Sequence, residues 1–250
     1  TGFNSKNISE IITAIMFQFD LLKFKDNYNR IIESIKNRCS VINRSFSELT
    51  IITVTKYVDA AAVKQIINYG ITNIGENRVQ RIRELRENIN DNNINWNMIG
   101  TLQSNKIKYI AGYINLIHSV NSIKLVQEIN RHAIIHNRII DILVEINVSD
   151  ENTKTGADTE TSKQIFDHYC VNKSSLTNVN ICGLMTMAPE TSDEKIIRKT
   201  FSDLRNLKNT LNSEFGLHME YMSMGMSNDY IFAIEEGATH LRIGSAFFLS

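Results

Sequence analysis

The sequence predicts an α/β protein built as a single (β/α)8 TIM-type barrel, and three observations carry that reading. Eight short apolar or β-branched runs alternate with amphipathic helical patterns, the signature of repeated βα units and a parallel sheet. The chain has 250 residues, 42% of them hydrophobic, enough to bury one large core. It contains one proline, Pro189, and no Gly/Ser-rich linker or charge block at which it would divide, so one domain is expected.

The first pattern runs from Ile8 to Leu22, with apolar residues at helical spacing (Ile8, Ile11, Ile12, Ile15, Met16, Phe19, Leu22). It carries Glu10 and Asp20 and no arginine, which suits an extra packing helix better than a transit peptide. Residues 1–26 are therefore expected to form a helical extension and residues 27–250 the barrel. A helix over Asn27 to Cys39 leads to the first strand, Thr50 to Thr55. The next strands are Asn73 to Gly75, Trp96 to Gly100, Ile114 to His118 and Ile139 to Val148. Val179 to Leu184, Met219 to Met222 and Thr239 to Ile243 complete the eight. Helices are expected between them around Ala60 to Tyr69, Gln80 to Asn88, Asn105 to Ala111, Ile123 to His136, Thr161 to Val171, Asp193 to Leu211 and Asn228 to Glu236.

Polar and glycine-containing clusters fall where each strand ends: Lys56, Gly75 to Asn77, Gly100 to Lys106, His118 and Ser119, Asn147 to Gly156, Met185 and Thr186, Ser223 to Ser227, and Arg242 to Ser245. In a β/α barrel all strand C-termini open on one face, so these clusters converge at the mouth. Lys56 directly follows TIITVT. Partial burial there would favour the neutral amine, the form that attacks an aldehyde; the plainer alternative is a lysine pointing to water. SMGMSND (Ser223 to Asp229) and RIGSAFF (Arg242 to Phe248) follow the seventh and eighth strands, where barrels often bind phosphate through backbone N–H groups. Gly225 and Gly244 would let the backbone approach closely, Ser223, Ser227 and Ser245 add hydroxyls, and Arg242 offers a fixed cation. A lysine facing a phosphate cup describes a site for a phosphorylated aldehyde; turn glycines and capping serines are the bland reading of the same residues.

Other charged groups are weaker candidates. Glu76, Asp150 and Glu151 could serve as acid or base at the mouth, although barrel loops are often acidic for solvation alone. His118 could meet a ligand or be a satisfied structural histidine, and Lys106 and Lys154 could attract phosphate, receive the cofactor in transfer, or face water. Met185, Met187, Met222, Met224 and Met226 are expected to pack around the barrel top. Cys39, Cys170 and Cys182 are odd in number and widely spaced, so neither disulfide pairs nor a metal centre is expected. With a formal net charge of +0, no nucleic acid or membrane partner is expected. The chain starts at Thr1 rather than Met, so processing or trimming is expected to have removed its beginning, and targeting stays open.

The strings ITVTKY around Lys56, IGENRVQ (Ile74 to Gln80), WNMIGTLQSNK (Trp96 to Lys106) and HSVNS (His118 to Ser122) resemble those of the pyridoxal phosphate homeostasis proteins, the YggS-like family. INVSDENTKTG (Ile146 to Gly156), ICGLMTMA (Ile181 to Ala188), SMGMSNDYIFAIEEG (Ser223 to Gly237) and THLRIGSAFF extend the likeness, in order, from about Asn27 to Phe248. The resemblance implies a site for pyridoxal 5′-phosphate (PLP) like that of the alanine racemase barrel domain, and a role in PLP storage, delivery and vitamin B6 balance. It places a Schiff base on Lys56, Asn77 beside the ring, and Ser223, Gly225, Ser227, Arg242, Gly244 and Ser245 around the phosphate, with Arg242 alternatively facing the pyridine nitrogen. Thr101, Asn121 and Leu249 depart from the family pattern, in loops and at the last helix rather than at a predicted cofactor contact.

Two readings follow from the resemblance. One is a carrier, expected to be a monomer in the cytoplasm, with a mitochondrial location left open, that hands PLP to apo-enzymes. The other is a fold-type III racemase or decarboxylase, which needs a second acid/base group opposite the lysine, usually from an added β domain not expected here. A cofactor-free Schiff-base aldolase explains Lys56 and the cup equally well but not the family strings.

Overall fold

The computed structural model describes residues 19–148 and 156–249, and within them the eight-unit alternation closes into a barrel. Most of the expected extension, together with Asp150, Glu151 and Lys154, lies outside the described residues. Helix α1 (Leu21–Val41) starts where the Asp20 carboxylate accepts from the Leu22 and Lys23 amides. It crosses the expected boundary between residues 26 and 27 without a break and buries Phe24, Ile31, Ile35 and Cys39.

The barrel strands are β1 (Thr50–Val54), β2 (Asn73–Glu76), β3 (Asn95–Met98), β4 (Leu116–Val120), β5 (Ile140–Glu145), β6 (Val179–Met185), β7 (Tyr221–Ser223) and β8 (His240–Ile243). All neighbours pair in parallel, and β1 closes the ring against β8 with Ile52 beside Arg242. The outer layer holds α2 (Ala60–Asn68), α3 (Val79–Ile89), α4 (Ile123–Ile135), α5 (Thr159–Val171), α6 (Glu194–Phe215) and α7 (Tyr230–Glu235). The expected helix at Asn105 to Ala111 is instead a short 3-10 helix, Ser104–Tyr109, with Ile107 buried in it and Ile110 and Ala111 buried just after it. A four-residue helix α8 (Ser245–Phe248), too short to carry a periodicity, follows β8.

Most of the core lies between strands and helices, where Ile74, Trp96, Met98, Ile117, Ile142, Leu184, Met222 and Leu241 meet the helical faces. Inside the barrel a smaller apolar cluster, Leu116, Leu143 and Met185, shares the space with Cys182 and Tyr221. Above it the interior is polar, in contrast to the branched apolar layers usual in this fold. Met185, Met222 and Met224 are buried as expected, whereas Met187 is exposed.

Candidate functional site

Arg242, the third residue of β8, is buried inside the barrel, and its backbone N–H donates to the Gly225 carbonyl at 3.0 Å. Its Nη1 donates to Ser223 Oγ at 2.5 Å and its Nη2 to the Thr186 carbonyl at 2.9 Å. Burial lowers its pKa to about 10, against the carboxylates of Asp229 and Glu145, so it remains a cation at neutral pH. Gly225 has φ +93°, and a Cβ there would lie 2.5 Å from that of Ala233, so the turn after β7 admits only glycine.

The hydrogen-bond chain continues across the barrel. Because Arg242 only donates, the Ser223 proton is available to His118 Nδ1, 2.9 Å away. Asn97 Nδ2 donates to the Ile74 and Asn95 carbonyls, which turns Asn97 Oδ1 toward His118 Nε2 at 3.3 Å. Both ends therefore demand the neutral His118 with its proton on Nε2. Burial and the charges of Arg242 and His240 hold its pKa well below the ordinary range, in agreement. His118 sits within β4 rather than at its end and is the satisfied structural histidine, not a group open at the mouth.

Above this chain, Ser227 Oγ accepts from the Gly244 and Ala246 backbone N–H groups at 3.3 and 3.1 Å. Two N–H donors thus already converge on one oxygen, and the Ser245 hydroxyl stands half-buried beside them. Of the residues expected around a phosphate, Ser227, Gly244 and Ser245 form this cup. Ser223 and Arg242 lie deeper, committed to each other.

On the opposite side of the closure, Lys56 lies in the turn after β1 and is exposed rather than partly buried, because the strand pairing ends at Val54 and the chain turns outward. Its Nζ is 5.1 Å from the Tyr57 ring centroid. Asn77 follows β2, half-buried. Glu76 departs from expectation: it shares the face of Ile74, outward toward the helices, and is fully buried behind the barrel wall instead of lining the mouth. Its Oε1 accepts from Thr55 Oγ1 at 2.5 Å, while Oε2 has no hydrogen-bond partner among the described residues. Burial pushes its carboxyl up to about 7, opposed by the Thr55 hydrogen bond and by Arg81, reinforced by Glu84 and opposed again by Lys56.

The two sides touch through Tyr57 and Gly244. A Cβ at Gly244 would lie 3.0 Å from Tyr57 Cε2 and 3.2 Å from Val54 Cβ, so glycine leaves the cup open against the Lys56 turn. An amine, two converging N–H donors and flanking hydroxyls fit a small phosphorylated carbonyl compound. Asn97 and Tyr57 were not singled out from the sequence, and Thr186 was named only as a strand-end residue. Alternation along β3 would have placed Asn97 on the inner face, but the other two contribute a backbone oxygen and a ring contact that no sequence pattern marks.

Comparison with known proteins gives concordant results. Residues 32–250 match the family described as alanine racemase, N-terminal domain. The chain is 36% identical over 223 residues to a pyridoxal phosphate homeostasis protein of Aquifex aeolicus (strain VF5), covering 89% of this chain and 96% of the relative. Among solved structures, an unknown protein from Bifidobacterium adolescentis superimposes with a TM-score of 0.82 at 28% identity, covering 94% and 100% of the two chains. PipY of Synechococcus elongatus PCC7942, solved with PLP bound, gives 0.73 at 28% identity over 86% and 99%.

Proposed function

The chain belongs to the pyridoxal phosphate homeostasis protein family, and from that premise we propose that it binds PLP through a Schiff base to Lys56 and serves in intracellular vitamin B6 balance. The single observation that favours this reading is the convergence of the Gly244 and Ala246 N–H groups on one oxygen site that packs, through Tyr57, against the Lys56 turn. Bound PLP supplies an aldehyde and an electron-withdrawing ring.

The chain's own groups divide the remaining work. Lys56 provides the amine. Gly244, Ala246, Ser227 and Ser245 hold the phosphate, Gly225 shapes the turn beneath them, and Asn77 flanks the ring. In this reading Arg242 faces the ring nitrogen rather than the phosphate, since its guanidinium is fixed in the interior below the cup. A donor-only cation keeps a neighbouring ring nitrogen unprotonated, which suits holding the cofactor better than driving carbanion chemistry on it. The recipients are PLP-dependent apo-enzymes, met by a cytoplasmic monomer.

The test is the absorbance spectrum of the purified protein before and after borohydride, with peptide mapping of the reduced adduct. A visible band trapped on Lys56 is the expected result. A colourless protein, unmodified after incubation with PLP, would overturn it and bring back an aldolase acting on a sugar phosphate.

A further inference from the structure

Two buried or half-buried groups of the β2–α3 unit reach the segment that carries Lys56, and neither lines the mouth. Glu76 at the end of β2 accepts the Thr55 hydroxyl at 2.5 Å, one residue before Lys56. Arg81 in the first turns of α3 donates through Nη2 to the Val58 carbonyl at 2.6 Å, two residues after it. The Thr55 N–H also donates to the Gly75 carbonyl at 3.2 Å, and the Ile99 N–H to the Glu76 carbonyl at 3.0 Å, so the anchor extends over three strands. Between the two anchors lie Lys56 and Tyr57, in a turn that the Val58 N–H closes on the Thr55 carbonyl at 3.2 Å.

We infer that Glu76 and Arg81 form a clamp behind the barrel wall that sets how Lys56 is presented to its ligand, with Glu76 as the positioning residue. A residue buried this completely, with one carboxyl oxygen lacking a partner among the described residues, costs stability, and a cost retained beside a reactive group calls for an explanation beyond packing. The charged groups facing Glu76 are Arg81 and Glu84 from α3 and Lys56 from the turn; Arg81 Nη1 also pairs with Glu84 at 2.7 Å. Burial pushes the carboxyl up to about 7, so the clamp changes charge near neutral pH, and with it the field at Lys56. The inference rests on the proposed role of Lys56 in binding PLP, but it also has a consequence that needs no cofactor.

The experiment compares the unmutated chain with Glu76→Gln and Glu76→Ala in two measurements. The first is the pH profile of borohydride-trappable PLP on Lys56. Glu76→Ala is expected to weaken capture roughly tenfold through misplacement of the amine. Glu76→Gln, whose amide oxygen still accepts from Thr55, is expected to restore capture while losing an inflection near pH 7 that the unmutated chain has. The second is acetylation of Lys56 by acetic anhydride between pH 6 and 9, quantified by peptide mass spectrometry against the exposed Lys64 as internal reference. Lys56 reactivity is expected to differ among the three proteins while Lys64 stays constant. If the unmutated chain takes up no PLP, the proposed function fails and the acetylation profile decides the clamp. Identical Lys56 profiles in all three proteins overturn the clamp, whether or not PLP is captured. Should Glu76→Ala fail to fold, the Gln comparison alone decides.

Discussion

The two sides of the barrel mouth reach order by opposite routes. On the β7–β8 side the polar groups point inward, and Arg242, Ser223, His118 and Asn97 satisfy one another through the barrel interior. On the β1–β2 side Lys56 is exposed, and Glu76 and Arg81, which hydrogen-bond Thr55 and Val58 on either side of it, stand outside the barrel wall. The first arrangement is fixed by a buried chain of hydrogen bonds that links Arg242, Ser223, His118 and Asn97. The second leaves an amine accessible to a ligand while its backbone is held from behind. An open amine beside a fixed cup suits the proposed capture of a carbonyl cofactor.

Lys56→Ala gives the largest effect expected from this contrast: covalent capture of PLP is lost entirely while circular dichroism is unchanged, since an exposed turn residue tolerates truncation. Trapping that persists in the variant would place the Schiff base elsewhere. On the rigid side, Arg242→Ala leaves the buried Ser223 hydroxyl and Thr186 carbonyl without their donor and removes the cation facing Asp229. Urea unfolding should register a loss of about 3–5 kcal/mol; a loss under about 1 kcal/mol would mean the interior chain is not rigid.

Glu76→Gln sharpens the comparison in the opposite direction. Burial raises the Glu76 pKa from the usual 4.5 to about 7. Below 4.5 the folded and unfolded chains are both protonated and nothing is lost; above 7 both are ionised and the folded state carries the whole penalty. The Gln variant should therefore be more stable than the unmutated chain by about 3 kcal/mol at pH 8, with the advantage fading as pH falls toward 4.5. Equal urea midpoints at pH 8 would contradict a strained carboxylate there. Ser227→Ala should cost about 1 kcal/mol by removing the hydroxyl that accepts from the Gly244 and Ala246 N–H groups, and should weaken PLP binding more than binding of dephosphorylated pyridoxal. The smallest effect is expected of Lys106→Ala, half-buried in the 3-10 helix after β3 with Nζ 6.0 Å from the Tyr109 ring centroid, which should leave PLP capture unchanged.

Much of this was legible in the sequence for identifiable reasons. The eight βα units could be counted because period-2 and period-3.6 apolar patterns report burial directly, and the mouth residues followed because strand ends share one face of such a barrel. Ser227, Gly244 and Ser245 were found together because their glycine and serine chemistry is local. Glu76 was read as a mouth residue because it sits in a strand-end cluster, although counting outward from the core-facing Ile74 would have turned it to the helices. The segment at Ser104–Tyr109 reads as an α-helix because Ile107, Ile110 and Ala111 repeat at helical spacing, and only the folded chain shows it as 3-10.

The sequence by itself thus determined the order of the elements and the barrel they form, because local periodicity and turn chemistry do not depend on distant partners. Only the tertiary structure decided that Lys56 is exposed, that Ser223 and Arg242 lie below the cup rather than in it, that His118 is neutral, and that Glu76 and Arg81 hold the Lys56 turn. Those facts depend on which groups meet across strand closures and how much water is excluded between them, and both arise only when residues far apart in the chain are packed together.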